Sequence, residues 1–131
     1  MKNHTILIAD DDSALLQAMS CRLENEGYTV FTTQDGYQAL AIARREEPDL
    51  MILDINMPAG SGFSVQQRIQ AIEAIADVPL IFITGHEMAS LPDEVCQIGS
   101  PKLIRKPFET GVLLATIREC LQANNKLKIA S

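Results

Sequence analysis

The sequence has no tryptophan, 5% aromatic residues and three cysteines. The cysteines, Cys21, Cys96 and Cys120, do not stand at metal-ligand spacings, and their odd number does not form a complete disulfide framework. All three lie in helix-like segments, so we expect them to be small apolar fillers in a reducing cytoplasm. A chain of 131 residues can bury about two-thirds of its unfolded surface, and it needs neither disulfides nor a structural metal.

Long hydrophobic runs and an excess of basic residues are also absent. No apolar run approaches the ~20 residues of a membrane-spanning helix, and the first residues lack the apolar core and cleavage site of a signal peptide. We therefore expect a cytoplasmic protein with no membrane partner. The 11 basic and 17 acidic residues give a net charge of −6, so we expect no direct nucleic-acid binding by this chain.

Short apolar runs, by contrast, recur along the chain. Their apolar character is continuous rather than alternating, which is typical of strands covered on both faces of a parallel sheet. Between them, apolar residues follow the three- and four-residue spacing of amphipathic helices. Five strands alternating with five helices predict a doubly wound α/β sheet. The predicted strands are residues 6–9, 29–32, 50–53, 80–83 and 103–104.

Residues that favour helix ends agree with this division. Asp12 or Ser13 is expected to cap the first helix, and Gly27 is expected to end it. Asp35 lies three residues before Gln38, which is the spacing of a capping box at the start of the second helix.

Polar residues follow four of the five predicted strands. Ligands of an open parallel sheet bind at the carboxyl ends of its strands, so these residues are expected at one edge. They are Asp10, Asp11 and Asp12 after the first strand, Asp54 after the third, Thr84 and Gly85 after the fourth, and Lys106 and Pro107 after the fifth.

Taken singly, each of these residues has an ordinary explanation as a cap, a turn residue or a solvated charge. Taken together, they do not, because clustered carboxylates repel one another unless a cation lies among them. Oxygen ligands with room for water and phosphate favour Mg²⁺. An aspartate beside such a metal can attack a phosphoryl donor, and a lysine can neutralise charge on the transferring group. The set therefore predicts a Mg²⁺-dependent phosphoryl site.

The same motifs closely resemble the receiver domain of two-component response regulators, over about residues 4 to 123. The resemblance implies a (βα)5 flavodoxin-like fold with strand order 2-1-3-4-5. It also implies a receiver domain over residues 4–124, followed by a short C-terminal tail over 125–131. The motifs that carry the resemblance are Asp10-Asp11, Asp54, Met57-Pro58, Gly62, Thr84-Gly85 and Lys106-Pro107.

The resemblance also implies a ligand set. Asp54 would accept a phosphoryl group from a histidine kinase or a histidine phosphotransfer protein. Mg²⁺ would be bound by Asp54, by Asp11 directly, by Asp10 through water, and by the backbone carbonyl of Asn56. The chain would not be an enzyme beyond its own Mg²⁺-dependent phosphorylation and dephosphorylation.

Two further residues of the family pattern would contact the phosphoryl group. Thr84 would bond a phosphoryl oxygen, and Lys106 would pair with the group. The Lys106–Pro107 peptide bond would be cis, as it is in this family. His86 lies two residues after Thr84, where it either influences hydrolysis of the phosphoryl group or is an exposed loop residue; the sequence leaves both readings open.

Three positions depart from the family pattern. Leu103 stands where the family usually has a tyrosine or phenylalanine that switches together with the threonine, so the conventional aromatic switch cannot operate. Pro92 is tolerated only near a helix start, and we expect a short fourth helix over about 92–98. Gly60 replaces a commonly aliphatic loop residue and should loosen that loop.

Three functions compete on these grounds. The first is a phosphorylated receiver that controls an output partner, or an output domain following the C-terminus. The second is an interaction module that binds its partner without phosphorylation, which Leu103 and Pro92 favour. The third is a metal-dependent phosphohydrolase, which Asn56 disfavours because such enzymes carry a second aspartate at that position.

Overall fold

A five-stranded parallel sheet is the centre of the fold in the computed structural model, which describes residues 3–57, 62–85 and 102–130, without the side chains of Phe63 and of residues 124–130. The strands lie in the order β2-β1-β3-β4-β5, which confirms the expected flavodoxin-like order. They are β1 (Thr5–Ala9), β2 (Thr29–Thr33), β3 (Leu50–Asp54), β4 (Leu80–Thr84) and β5 (Lys102–Arg105).

Four helices are present in the described part of the chain. They are α1 (Ser13–Asn25), α2 (Gly36–Glu46), α3 (Gly62–Gln70) and α4 (Thr110–Ala130), and a single 3-10 turn spans Glu73–Ile75. The short helix expected over 92–98, together with Pro92 and Gly60, lies outside the described residues. Helix α4 continues through residues 125–130, and the domain boundary at 124 stays a prediction. No helix of the described residues is long and apolar enough to cross a membrane.

The sheet separates two apolar clusters. Successive side chains of a strand point to opposite faces, so Ile6 and Ile8 pack with α1 and α4 while Leu7 and Ala9 pack with α2 and α3. The residues of β1, β3 and β4 are almost all buried, whereas β2 and β5 are partly exposed. The edge strands pair on one side only, which explains their exposure.

The helix starts follow the predicted capping residues, with one difference. The Leu15 N–H donates to Asp12 Oδ1 over 3.1 Å, so Asp12 caps α1. The Gln38 N–H donates to Asp35 Oδ1 over 2.7 Å, which is one half of the predicted capping box. The other half is not formed, because the Asp35 N–H donates to Thr33 Oγ1 at 3.4 Å.

The end of α1 is a Schellman motif centred on Gly27. The Gly27 N–H donates to the Glu24 carbonyl over 3.0 Å, and the Tyr28 N–H donates to the Leu23 carbonyl over 3.1 Å. Gly27 has a φ of 96°, in the left-handed region that favours glycine. The predicted role of Gly27 is therefore confirmed.

The cysteines do not all behave as expected. Cys120 is buried, but Cys21 is exposed, so the prediction of an apolar filler is wrong for Cys21. It lies two residues from both Met19 and Leu23, which are buried, and two residues are about half a helical turn. Cys21 therefore faces solvent, and Cys96 lies outside the described residues.

Candidate functional site

Neighbouring strands bring three carboxylates to the carboxyl edge of the sheet. Strands β1 and β3 are paired, with Ala9 opposite Leu53, so the next residues along the two chains, Asp10 and Asp54, are also neighbours. One oxygen from each of Asp10, Asp11 and Asp54 lies within 4.8 Å of the others. Asp10 and Asp54 are buried, whereas Asp11 is exposed. We call these three residues the acidic cluster.

Asp10 is held firmly, but one of its oxygens lacks a hydrogen bond. Its N–H donates to the Thr33 carbonyl over 3.1 Å, and its Oδ1 accepts from the Asp12 N–H over 2.9 Å. Its Oδ2 is buried and has no hydrogen-bond partner of acceptable geometry, although Lys106 Nζ lies 2.9 Å away. This oxygen is therefore stabilised by the lysine charge and keeps acceptor capacity for a cation.

Asp54, at the end of β3, is buried between groups of both charges. Its Oδ1 accepts from the Asn56 N–H over 3.1 Å, and its Oδ2 lies 3.4 Å from Lys106 Nζ. Burial raises the pKa of Asp54 and the charge of Asp10 adds to the rise, while the Asn56 N–H and Lys106 oppose it. The net direction is upward, because burial disfavours the ionised form.

Lys106 lies between the two buried carboxylates. The backbone N–H of Lys106 donates to the Thr84 carbonyl over 2.7 Å, which fixes the start of the loop after β5. The peptide bond between Lys106 and Pro107 is cis, as the resemblance implies. Burial lowers the pKa of Lys106, but the adjacent carboxylates of Asp10 and Asp54 outweigh burial and raise it. Lys106 is therefore a cation at neutral pH.

The other predicted site residues are Thr84, Gly85, His86, Leu103 and Pro107. Thr84 ends β4 and is buried, one residue beyond the position of β4 that faces Asp54 in the sheet register. Gly85, Lys106 and Pro107 line a groove of about 590 Å³ between α1 and the start of α4. Leu103 is partly buried against the α2 and α3 side of the sheet. His86 lies outside the described residues.

The chemistry of this donor set fits a hard divalent cation. The candidate ligand atoms are carboxylate oxygens. Asn56, two residues beyond the end of β3, is exposed. Mg²⁺ takes one or two protein carboxylates and keeps its other positions for water and phosphate oxygens. The acidic cluster has three carboxylates, and the Lys106 ammonium lies within 3.4 Å of two of them, so negative charge remains that a divalent cation can neutralise.

One anchor of the site carries no signal in the sequence. The Thr33 carbonyl accepts from the Asp10 N–H and holds the buried aspartate at the end of β1. Because the contact uses a backbone oxygen, any residue type supplies it, and no motif could have indicated it.

The strand order and the acid-lined carboxyl edge define a flavodoxin-like α/β protein with a candidate metal site. Residues 6–118 match the family model of the response regulator receiver domain. The chain belongs to this family.

Known relatives agree with this assignment. The chain is 34% identical over 128 residues to the DNA-binding dual master transcriptional regulator RpaA of Synechocystis sp., in a match that covers 96% of this chain and 52% of that protein. The chain therefore spans about half the length of this relative.

Solved structures share the fold over most of this chain. The chemotaxis response regulator CheY4 of Vibrio cholerae has a TM-score of 0.84 and 29% identity, covering 92% of this chain and 100% of that one. The receiver domain of the sensor histidine kinase PA1611 from Pseudomonas aeruginosa PAO1 has a TM-score of 0.82 and 26% identity, covering 92% and 99%. That structure has a magnesium ion coordinated in its active site cleft.

Proposed function

We propose that this receiver domain accepts a phosphoryl group on Asp54 from a histidine kinase or a histidine phosphotransfer protein, in a Mg²⁺-dependent reaction. The observation that supports this most strongly is the environment of the Asp54 carboxylate. It lies within 4.8 Å of the carboxylate oxygens of Asp10 and Asp11 and 3.4 Å from Lys106 Nζ. A nucleophilic carboxylate, a candidate metal site and a fixed cation therefore coincide.

In this reaction, an oxygen of Asp54 attacks the phosphorus of the donor. A new O–P bond forms, the P–N bond to the donor histidine breaks, and the histidine nitrogen leaves with the electron pair. The acidic cluster and the Asn56 carbonyl would hold Mg²⁺, which when bound neutralises charge on the transferring group.

Lys106 and Thr84 would stabilise the phosphoryl group on Asp54. Lys106 Nζ already contacts Asp54 Oδ2, so it needs only a short movement to pair with a phosphoryl oxygen at that position. The Thr84 hydroxyl, on the neighbouring strand, would donate a hydrogen bond to another oxygen. Moving these two groups toward the modified aspartate is how phosphorylation would shift the domain between two conformations.

The chain would catalyse only its own phosphorylation and dephosphorylation. Asn56 can orient a water molecule for hydrolysis of the acyl phosphate, but its amide cannot act as a general base. The conformational change would control an output partner or a C-terminal output domain. The relative RpaA is described as a DNA-binding transcriptional regulator, and this chain covers 52% of it, which is consistent with an output function outside the receiver.

Leu103 supports a second candidate, an interaction module that binds its partner without phosphorylation. Leu103 is packed against the α2 and α3 apolar cluster, and an aliphatic side chain has no ring or hydroxyl with which to follow Thr84. In this case the surface that binds the partner would be able to do so without phosphorylation of Asp54.

The two candidates are separated by intact mass measurement. The protein is incubated with Mg²⁺ and acetyl phosphate, beside Asp54→Asn and the control Asp77→Asn, which changes an exposed aspartate in the turn before β4. We expect one added phosphoryl group on the wild type and on Asp77→Asn, none on Asp54→Asn, and none on any of them in excess EDTA.

An unmodified wild type would contradict phosphorylation and favour the interaction module. A phosphorylated Asp54→Asn variant would show that another residue is the acceptor.

A further inference from the structure

Helix α3 begins in direct contact with the backbone of the phosphoacceptor strand. A Cβ atom at Gly62, the first residue of α3, would lie 2.7 Å from the Asp54 carbonyl oxygen and 3.3 Å from Ile55 Cα. The first distance is shorter than van der Waals contact allows, and the obstructing atoms belong to the backbone. No side-chain rotation could relieve the overlap, so either α3 or the end of β3 would have to move.

The close contact between Gly62 and β3 also holds the backbone segment of the site, residues 54–56, in place. The Gly62 N–H donates to the Ile55 carbonyl over 3.2 Å, and the Ile55 N–H donates to the Ile83 carbonyl of β4 over 3.0 Å. On either side of Ile55 lie Asp54 and Asn56, whose own N–H donates to Asp54 Oδ1. The backbone between the phosphoacceptor and the Asn56 carbonyl is therefore fixed by β4 on one side and by Gly62 on the other.

This constraint does not apply to every glycine of the chain. Gly111, in the first turn of α4, has no atom within 4 Å of a Cβ, and Gly27 is required by its positive φ instead. Gly62, by contrast, is a helical residue, the first of α3. What the site uses at Gly62 is the absence of a side chain, which lets two backbone segments meet.

We infer that Gly62 is a positioning residue for the phosphoacceptor and metal site, acting through the backbone of Asp54 and Ile55. The inference rests on the proposed function, because Mg²⁺ binding and phosphoryl transfer are what the positioning serves. Mg²⁺ demands nearly ideal octahedral geometry at about 2.0–2.1 Å from its ligands. A shift of a few tenths of an ångström in Asp54, relative to Asp10 and Asp11, is therefore sufficient to weaken binding.

The test compares Mg²⁺ affinity, measured by calorimetric titration, in the wild type and three variants. Gly62→Ala is expected to bind Mg²⁺ on the order of 10-fold more weakly, as replacements that disturb ligand orientation do. Gly111→Ala controls for a glycine replacement at a helix start. Ile69→Val controls for lost stability, since Ile69 is buried in α3 two turns from Gly62. Both controls are expected to keep the wild-type affinity.

The outcomes are distinguishable. If Gly62→Ala is less heat-stable, like Ile69→Val, but binds Mg²⁺ as the wild type does, Gly62 has only a structural role and the inference is overturned. A wild type that does not bind Mg²⁺ overturns the metal dependence of the proposed function, and the inference with it. A wild type and controls that bind normally, with a weakened Gly62→Ala, support both.

A measurement on the wild type covers the case in which Gly62→Ala does not fold. The Gly62 amide is bonded to the carbonyl next to Asn56, so its ¹⁵N–¹H resonance is expected to shift on titration with Mg²⁺, while that of Gly111 stays in place. A Gly62 resonance that does not move at saturating Mg²⁺ overturns the inference.

Discussion

The Asp54 carboxylate opposes folding when it is ionised. Burial raises its pKa, and the charge of Asp10 adds to the rise. A carboxyl group whose pKa is higher in the folded protein binds a proton more tightly there than in the unfolded chain. Its contribution to stability is therefore present at low pH and is lost as the pH rises through the folded pKa.

From the upward shift of the Asp54 pKa, we predict that Asp54→Asn stabilises the metal-free protein at pH 7. The free energy of unfolding, measured by urea denaturation in EDTA, should rise by roughly 1 kcal/mol, as replacements of strained functional residues commonly do. The difference from the wild type should shrink as the pH is lowered, because the wild-type Asp54 then becomes protonated.

The exposed Asp77→Asn variant is the control for this measurement, and it should have the wild-type free energy of unfolding at pH 7. A difference between Asp54→Asn and the wild type that grows toward low pH would contradict the assigned direction of the pKa shift.

Sequence reasoning could predict the acidic residues of the site but not all of their contacts. Asp10 and Asp54 could be placed because parallel strands bring the residues at their carboxyl ends to one edge of the sheet. The 2.9 Å contact between Lys106 and Asp10 depends on the rotamer of a long side chain, which no spacing fixes. Gln66 is 1% exposed, with an unpartnered Nε2; its polarity predicts a surface position, and only packing buries it.

At the scale of single elements, the end of α1 depends on one backbone conformation. Gly27 has a φ of 96°, and its N–H and that of Tyr28 bond the last carbonyls of the helix. A side chain at Gly27 would be strained in this conformation, because Cβ then approaches the carbonyl oxygen that follows it.

We predict that Gly27→Ala destabilises the protein by about 1–2 kcal/mol, measured as the free energy of unfolding in urea. Gly111→Ala is the matched control, because a Cβ there meets open space and alanine restricts the unfolded chain. The control should be at least as stable as the wild type. Equal stabilities of Gly27→Ala and Gly111→Ala would argue against the Schellman motif as the origin of the effect.

Element boundaries could be predicted only where local residue chemistry decides them, and the ends of β2 and α3 are two that could not. Strand β2 extends one residue beyond the predicted 29–32, to Thr33. Helix α3 ends at Gln70, before the apolar Ile72 that continues its helical spacing. The Ile72 N–H donates to the Ile69 carbonyl over 3.0 Å, a tighter turn than that of an α-helix. Periodicity alone could not reveal this change of turn, because the apolar spacing continues through it.

At the scale of the whole molecule, binding at the acidic cluster should stabilise the entire fold. A ligand that binds only the folded state raises the free energy of unfolding by mass action, by about 1.4 kcal/mol at a concentration ten times its Kd. The gain applies to global unfolding because the acidic residues follow β1 and β3, two adjacent interior strands of the sheet.

We therefore predict that Mg²⁺ raises the melting temperature and that EDTA reverses the rise. Asp11→Asn should lose most of the effect, since Asp11 is a proposed direct ligand and is exposed, so the fold itself should tolerate the change. The Asp77→Asn control should keep the full rise. A rise of the same size in Asp11→Asn would exclude this aspartate as a ligand.

The parallel arrangement also makes the two ends of the sheet chemically different. At the amino end, the Thr5 N–H donates to Asp49 Oδ2 over 2.7 Å, and the Asp49 N–H donates to the Thr5 carbonyl over 2.8 Å. Strand β1 then runs for roughly 16 Å before it reaches Asp10. A linker attached ahead of Thr5 therefore leaves the molecule at the far edge, so a sensor surface that captures the protein through this linker would present the acidic cluster to the solution.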